Sequence, residues 1–573
     1  MGFVKGKGRN LVLFQLRRLN WMDRCVIVVD FGSDSVRAVV VNTVSGKVLA
    51  SAVSMYPRWS EGKYQHPETA VFRQHPLDYI ESFTACVSEA VKMAGPGTAD
   101  KIAGIGIDTT GSTPVAVNRE GTPLSLTDTF SENENAMFLL WKDHSAAREA
   151  EELTGLFHTA GSRDYLTYMG TYSAEWYWAK ILHVVRTDQA VRDAAYTWVE
   201  HCDWMVGLLT GNTHPETMYH SACAAGFKAL WNSEWNGLPD KEVLGKADEY
   251  LKKVAERFGS APKPATVSAG RILPEWAARL GVPENTEISG SSFDAHAGAI
   301  GGGVGENILV CTLGTSAVDM TVVRPDELRN INVKMLTRFG GLAEDSILPG
   351  YVGIETGQAA FGDIFAWFRR LLSWPLQRLE EEPDGTPQER EMCFRMEERI
   401  LPMLQREAEH LEHTETLPVA LDWINGRRYP NANDAARGVL ADISLGTNAP
   451  QVYWALVFSA VSGLNRIREG FEQSGIRIDK VKAVGGIPRK SSFIMQMMAD
   501  LMEKPIEILD ENQTCALGAA IYAAMGSGCC QSLNEAVSNM SARVEKCYRP
   551  DADRHTALRR QYARYLALAK ERQ

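Results

Sequence analysis

Asp30, Gly32, Ser33 and Ser35 follow one apolar run and precede another in "VIVVDFGSDSVRAVVVN", residues 26–42. A strand that ends in Asp and turns through Gly and small hydroxyl residues can aim backbone N–H groups and a serine hydroxyl at an anion, because Gly lets the chain approach closely. Asp30 then stands where a Mg²⁺ on that anion is held, directly or through water. Taken alone, an ordinary hairpin is the simpler reading. A second copy changes the balance: Gly314, Thr315 and Ser316 in "CTLGTSAVDMTVV" repeat strand, turn and strand, and two such hairpins facing a cleft make a nucleotide clamp. Gly485 and Gly486 in "AVGGIPRKSS" end a further strand before a helix expected to start near Ser491, a place suited to a base and ribose or to a plain strand-to-helix turn. Asp294 in "SSFDAHAGAIGGG" falls in the first turn of a helix, where the macrodipole keeps a carboxylate ionised and ready to accept a proton. It is the candidate general base, with a purely structural N-cap as the alternative. "GIETGQAAFGDIFAWF" offers Glu355 and Gln358 ahead of an amphipathic helix, and "CAAGFKALW" sets Lys228 among small apolar residues, although a lone Lys or Glu is more often on the surface.

Such residues need strands that end at them and helices that start from them. Strand-like runs beside Gly ("IAGIGIDTTGSTPVAVN", "NILVCTLGTSAVDMTVV", "KVKAVGGIPRKSS") alternate with helical periodicity ("HPLDYIESFTACVSEAVKMA", "QVYWALVFSAVSGLNRIREGF"), which gives an α/β protein with mixed sheets. At 573 residues the chain exceeds one core, so two large domains are expected, and the twin strand–turn–strand units suggest a duplicated fold. The division is placed near residue 288, after the connector "RILPEWAARLGVPEN", giving domains at 25–288 and 289–573, the second ending in a helical tail. The charged stretch from Leu372 to His413 reads as a surface insertion with a solvated face, and His410 and His413 within it as solvated rather than metal-bound. The tryptophan-rich "YSAEWYWAKILHVV" reads as a packed helix face, and "ALGAAIYAA" (516–524) as a helix close-packed at a hinge.

Composition removes several classes. With 60 Lys+Arg against 71 Asp+Glu and no basic stripe, nucleic acid is not an expected partner. Ten cysteines without a CxxC pair, the vicinal Cys529 and Cys530 included, fit a reducing cytoplasm. No apolar run approaches the ~20 residues of a membrane span. Residues 1–24 are a basic extension, read as a tail with Met22 as the expected true start. A GxxxxGK[ST] loop and protein-kinase signatures are missing, and Gly104 and Gly106 of "GIGIDTTG" lie inside a strand rather than after it, which disfavours a dinucleotide fold.

Dense stretches along almost the whole chain from about residue 24 resemble the FGGY carbohydrate kinases, and within them the bacterial ribulokinases: "DFGSDSVRA", "YPRW", "HPLDYIES", "GSTP", "NAMFLLWKDH", "EWYWAKILHV", "CDW", "GTSAVD", "GQAAFGDIFAWF", "LDWINGRRYPNAN" and "ALGAAIYAA". The resemblance implies two actin-like (ribonuclease-H-like) domains closing on a cleft, with ATP on the second and sugar between them. It implies that Gly32 and Ser33 form the first phosphate hairpin and Gly314 and Thr315 the second. It puts Gly485, Gly486 and Lys490 at adenosine and Asp294 at the catalytic base, and it has Gly111, Lys228 and Glu355 contact a ketopentose with Asp30 and Asp108 near Mg²⁺. The match departs at Phe227, where some relatives carry a polar residue such as His. The implied activity is ATP- and Mg²⁺-dependent phosphorylation of L-ribulose at its terminal hydroxyl, in L-arabinose breakdown, by a cytoplasmic protein that is a candidate homodimer. A kinase of xylulose, ribitol or another polyol, or an actin-like nucleotide-dependent binding protein, are the alternatives.

Overall fold

The computed structural model describes residues 24–159, 163–337, 340–380, 386–411, 417–433, 435–510 and 513–572; the expected tail before Arg24, Met22 included, and His413 lie outside the described residues. Strand β1 (Cys25–Phe31) is apolar up to Asp30 because both of its faces are covered: Ile27 and Val29 enter one core, Val26 and Val28 another. It pairs antiparallel with β2 (Ser35–Asn42), which pairs with β3 (Val48–Met55), and parallel with β4 (Ile102–Thr109). With β5 (Ser268–Arg271) and β6 (Glu287–Phe293) these form a mixed sheet in the order β5-β6-β4-β1-β2-β3. A second mixed sheet repeats the plan. Its hairpin joins β7 (Ile308–Leu313) to β8 (Ala317–Val323), followed by β9 (Gly340–Glu344), β10 (Val352–Gln358), β11 (Lys480–Val484), β12 (Ile506–Leu509) and β13 (Val544–Tyr548), in the order β9-β10-β8-β7-β11-β12-β13. In each sheet an antiparallel hairpin lies beside a parallel strand, β4 in the first and β11 in the second. The division placed near residue 288 cuts β6, which pairs with β4 through Phe293, so the first sheet needs residues beyond that point.

The helices that bear on the site are, in chain order, α1 (Pro76–Met93), α2 (Tyr177–Thr187), α3 (Ala222–Ala229), α4 (Asp294–Gly301), α5 (Gly362–Glu380), α6 (Pro387–Ala408), α7 (Ala449–Ser474), α8 (Gly486–Lys490), α9 (Ser492–Met502) and α10 (Thr514–Gly526). Helices α4 and α10 form a shared layer. Val26, Val28, Val39 and Val41 of the first sheet and Val310, Met320 and Val322 of the second belong to one core with Ala297, Ile300 and Ala519–Ala524 of these helices. Small residues make this layer thin: a Cβ at Gly518 would overlap the Ala297 carbonyl, one at Gly301 the Thr514 carbonyl, and one at Gly106 of β4 the Ala519 carbonyl. The glycines inside "GIGIDTTG" therefore let a helix backbone lie directly on a strand.

Helix α6 starts at a capping box between Thr386 and Glu389, and α5 and α6 occupy the region read as an insertion. Its outer face is less polar than expected, since Trp374 and Leu379 of α5 and Met392, Phe394, Met396 and Met403 of α6 are exposed, and Trp367 and Leu371 continue the apolar side of α5 ahead of it.

Asp319 of β8 lies fully buried across the ladder from Cys311, and burial pushes its carboxyl up to about 7. The folded chain thus keeps a proton that the unfolded chain releases, and stability contributed here falls as pH rises from about 4 to about 7. Asp319→Asn is expected to melt above the parent at pH 8, with the advantage shrinking as pH is lowered toward 4. Coincident melting curves at pH 8 would contradict this.

Candidate active site

Three carboxylates meet where parallel strands of the first sheet end. Asp30 of β1 is in register with Asp108 of β4, Ser292 of β6 lies beside Asp108, and the chain leaves β6 at Phe293 to begin α4 with Asp294. Asp108 is fully buried and neither of its oxygens has a hydrogen-bond partner. Burial pushes its carboxyl well up, and the neighbouring Asp30 and Asp294 push it further. Asp30 is likewise raised by burial, against the pull of Asp108 and Arg37. Asp294 is pushed up to about 7, first by burial and then by Asp30, while an N–H bond from Ala295 (2.6 Å) and the charge of His296 oppose the shift. Three neighbouring acids, with Asp108 buried and both its oxygens unpartnered, fit a divalent cation. Among the described residues no group of three or more His, Cys, Asp or Glu could hold a metal; Asp30 and Asp108 are the pair that could hold a divalent cation with ligands from outside the chain.

A second charged group adjoins the first. Glu355 of β10 lies 3.9 Å from Lys228 Nζ on α3 and 3.3 Å from His296 Nε2 on α4, the latter off the line of a hydrogen bond. Burial would raise Glu355, but Lys228 and His296 hold it well below the usual carboxylate range, and against burial Cys223 and then Glu355 lift His296 to about 10. Lys228 also stands over the Trp176 ring at 5.2 Å. Gly111 packs on the Phe293 ring so closely that a Cβ would enter it, which places the "DTTGST" turn against the residue before Asp294. Phe227, the departure from the family pattern, is buried with its ring 4.8 Å from that of His296, so α4 supplies a polar group at the place where position 227 does not. The packed-face reading of "YSAEWYWAKILHVV" holds for Tyr177 and Trp178, whose Nε1 donates to the Ala229 carbonyl at 2.8 Å; Trp176 instead turns to Lys228.

The hairpins lie at strand ends of their own sheets. Gly32 N–H closes the first turn on the Ser35 carbonyl (3.0 Å), and Ser33 is gripped from behind, its Oγ accepting from Trp141 Nε1 (2.9 Å) and its carbonyl from Gln74 Nε2 (2.6 Å). In the second turn the carbonyls of Gly314 and Thr315 accept from the N–H groups of Phe361, Gly362 and Asp363 at the start of α5. Gly485 follows β11 with φ 103°, where a Cβ would press on the Leu313 carbonyl at 2.6 Å, so the glycine turn lies directly beside the second hairpin. The short α8 intervenes before α9, which Ser491 caps as expected through Ile494 N–H (3.2 Å). Gly314, Thr315, Gly485, Gly486 and Lys490 are exposed.

The structure thus groups Asp30, Asp108 and Asp294 with Lys228, Glu355 and Gly111, and separately joins Gly314 and Thr315 to Gly485, Gly486 and Lys490. Sequence reasoning missed His296, although it stands two residues after Asp294. It also missed Lys180 and Glu200, whose only sequence signal is a charge inside an apolar helix and another at the end of an apolar strand. His410 is exposed and turns its Nδ1 to the Arg406 carbonyl at 2.7 Å.

Two mixed sheets with glycine turns at their strand ends, the first carrying a buried acid cluster, make a two-domain α/β fold with the actin-like plan. Models of the FGGY family of carbohydrate kinases match it over almost the whole described length, the N-terminal domain at residues 25–301 and the C-terminal domain at 309–527. The chain belongs to that family and is an ATP-dependent carbohydrate kinase. It is 38% identical over 554 residues to a ribulokinase of Vibrio parahaemolyticus, covering 96% of each chain, and 32% identical over 556 residues to one of Anoxybacillus flavithermus, covering 95% of this chain and 93% of the other. In fold it is similar to a xylulose kinase from Rhodospirillum rubrum (TM-score 0.75, 19% identity, 96% and 99% covered). A glycerol kinase from Plasmodium falciparum with ADP is similar too (TM-score 0.74, 15% identity, 95% and 98% covered). The two family models leave 302–308 unmatched, and we propose the domain division within 302–307, between α4 and β7.

Proposed function

We propose that this kinase transfers the γ-phosphoryl group of ATP to the terminal hydroxyl of L-ribulose, giving L-ribulose 5-phosphate for L-arabinose breakdown. The observation that carries the reading is the Lys228–Glu355–His296 group beside Asp294: two buried donors about one partly exposed, fixed acceptor, suited to a small polyhydroxylated ketone. Ribulokinases among the relatives support the choice of sugar.

In this mechanism Lys228, Glu355 and the Gly111 turn orient the sugar so that its terminal O–H meets Asp294. Asp294 takes the proton as that oxygen bonds to the γ-phosphorus and the bond to the ADP oxygen breaks. A base lifted to about 7 suits proton transfer near neutral pH better than an ordinary aspartate would. The hairpins at Gly32–Ser33 and Gly314–Thr315 steady the phosphates, and Gly485, Gly486 and Lys490 hold the adenosine side. Asp30 and Asp108 would hold Mg²⁺, which when bound supplies charge neutralisation on the phosphates. Closure over the sugar excludes water, the competing acceptor. Ten free thiols suit a cytoplasmic setting, and the apolar outer face of α5 offers surface for a homodimer.

The test is coupled ADP release across ketopentoses and polyols. L-Ribulose is expected to give the highest kcat/KM, with other ribuloses and ribitol weaker; preference for xylulose or glycerol overturns the assignment.

A further inference from the structure

Two buried charges lie outside the reacting group yet touch the segments that frame it. Lys180 of α2 is fully buried, and its three N–H donors are saturated by backbone carbonyls: Ser112 at 2.8 Å, Leu140 at 2.8 Å and Leu139 at 3.3 Å. Glu200, buried at the end of the strand Thr197–Glu200, accepts from Ser112 Oγ and from Thr113 N–H at 2.8 Å. Ser112 and Thr113 directly follow Gly111, the residue seated on Phe293. The other carbonyls that Lys180 holds belong to the segment running into Trp141, which donates to Ser33 Oγ. That segment also pairs, at Phe138, with Gln74, which donates to the Ser33 carbonyl. One ammonium thus fastens the turn beside the base to both grips on the first hairpin.

We infer that Lys180, with Glu200, is a positioning residue for phosphoryl transfer: it sets the sugar-side turn at Gly111–Thr113 relative to the phosphate hairpin at Gly32–Ser33. The inference rests on the proposed roles of those two turns. Burial pulls Lys180 down to about 7 and pushes Glu200 up to about 7, so each charge is held against desolvation by its partners. A pair of apolar side chains would fill the same volume without that penalty. What apolar residues could not supply is simultaneous hydrogen bonding to two segments distant in sequence, Ser112–Thr113 and Leu139–Leu140. An error of about 1 Å between acceptor and phosphate is enough to cost on the order of 10²-fold in rate.

The experiment compares Lys180→Met, Glu200→Gln and the double variant with the parent, using whichever sugar the parent prefers. Each single variant leaves one charge buried and is expected to melt lower; the double variant removes both and should recover most of the melting temperature. Its kcat/KM for sugar should nonetheless stay on the order of 10²-fold down, with KM for ATP within about twofold of the parent. Amide hydrogen exchange, which needs no sugar, should quicken at both 32–35 and 110–114 in the double variant. A double variant that regains sugar kinetics together with stability makes the pair purely structural and overturns the inference, as does unchanged exchange at either turn. A parent that prefers another sugar defeats the L-ribulose assignment while leaving this comparison intact.

Discussion

Asp294→Asn is expected to turn over roughly 10²- to 10⁴-fold more slowly than the parent, the range lost when a general base is removed. The amide keeps the size of the side chain and can still accept a hydrogen bond, but it cannot take the sugar's proton. Where in the range the loss falls depends on timing: phosphoryl transfer passes through a loose transition state, proton removal then comes late, and the lower end is favoured. KM for ATP should hold steady, because Gly314, Thr315, Gly485 and Gly486 belong to the second sheet's strand ends, while sugar affinity should fall modestly. The parent's kcat/KM for sugar should rise with pH and level off as Asp294, lifted to about 7 in the free protein, loses its proton, and the Asn variant should lack that step. ADP release and calorimetric titration of both substrates on one preparation measure all of this. Near-parental turnover would make Asp294 a structural cap. Glu355 is then a poor heir: Lys228 and His296 hold it so far below the usual carboxylate range that it scarcely accepts a proton.

The second large effect is on folding. Gly518→Ala should destabilise the protein by about 3 kcal/mol, the upper end of what overpacking costs, and Gly518→Val should leave little soluble protein. The added Cβ would overlap the Ala297 carbonyl, a backbone atom that cannot rotate away, in the layer where α4 and α10 carry both sheets. Since α4 begins with Asp294, any relief by separating the helices also displaces the base. Gly155, inside the helix Ala147–Thr159, is the control, because nothing lies within 4 Å of its would-be Cβ. Gly155→Ala should stabilise by about 0.5–1 kcal/mol through helix propensity. Urea unfolding of the three proteins decides it, and a Gly518→Ala variant as stable as the parent would show that the layer yields.

Local pattern made much of this legible in the sequence. The valine run around Asp30 and the repeat around Gly314 announced two hairpins, and "ALGAAIYAA" announced a helix in close contact. Gly104 and Gly106 were visible as misplaced for a dinucleotide loop, but their purpose appears only when α10 lies upon them, a contact between residues far apart in the chain. The limits have the same cause elsewhere. Lys180, Glu200 and His296 gain their meaning from partners on other segments, and a single charge in an apolar stretch has no period to betray it. The division at 288 followed a turn signal at the connector, whereas β6 is claimed by its pairing with β4. On α5 the dense charges further along drew attention from Trp367, Leu371 and Trp374.

The ion pair between Lys228 and Glu355 joins elements on opposite sides of the domain division, α3 with the first sheet and β10 in the second. Any motion that parts the sheets therefore separates two opposite charges and lets water reach them. Dissolved ions act on that parted form far more than on the 3.9 Å contact, which is shorter than the ~8 Å screening length of physiological salt and partly shut away from it. Ionic strength would thus act on any opening of the cleft: were the sheets to part before sugar arrives, added salt would favour the parted form over the closed one. The same two side chains that would orient the sugar also register whether the jaws have met.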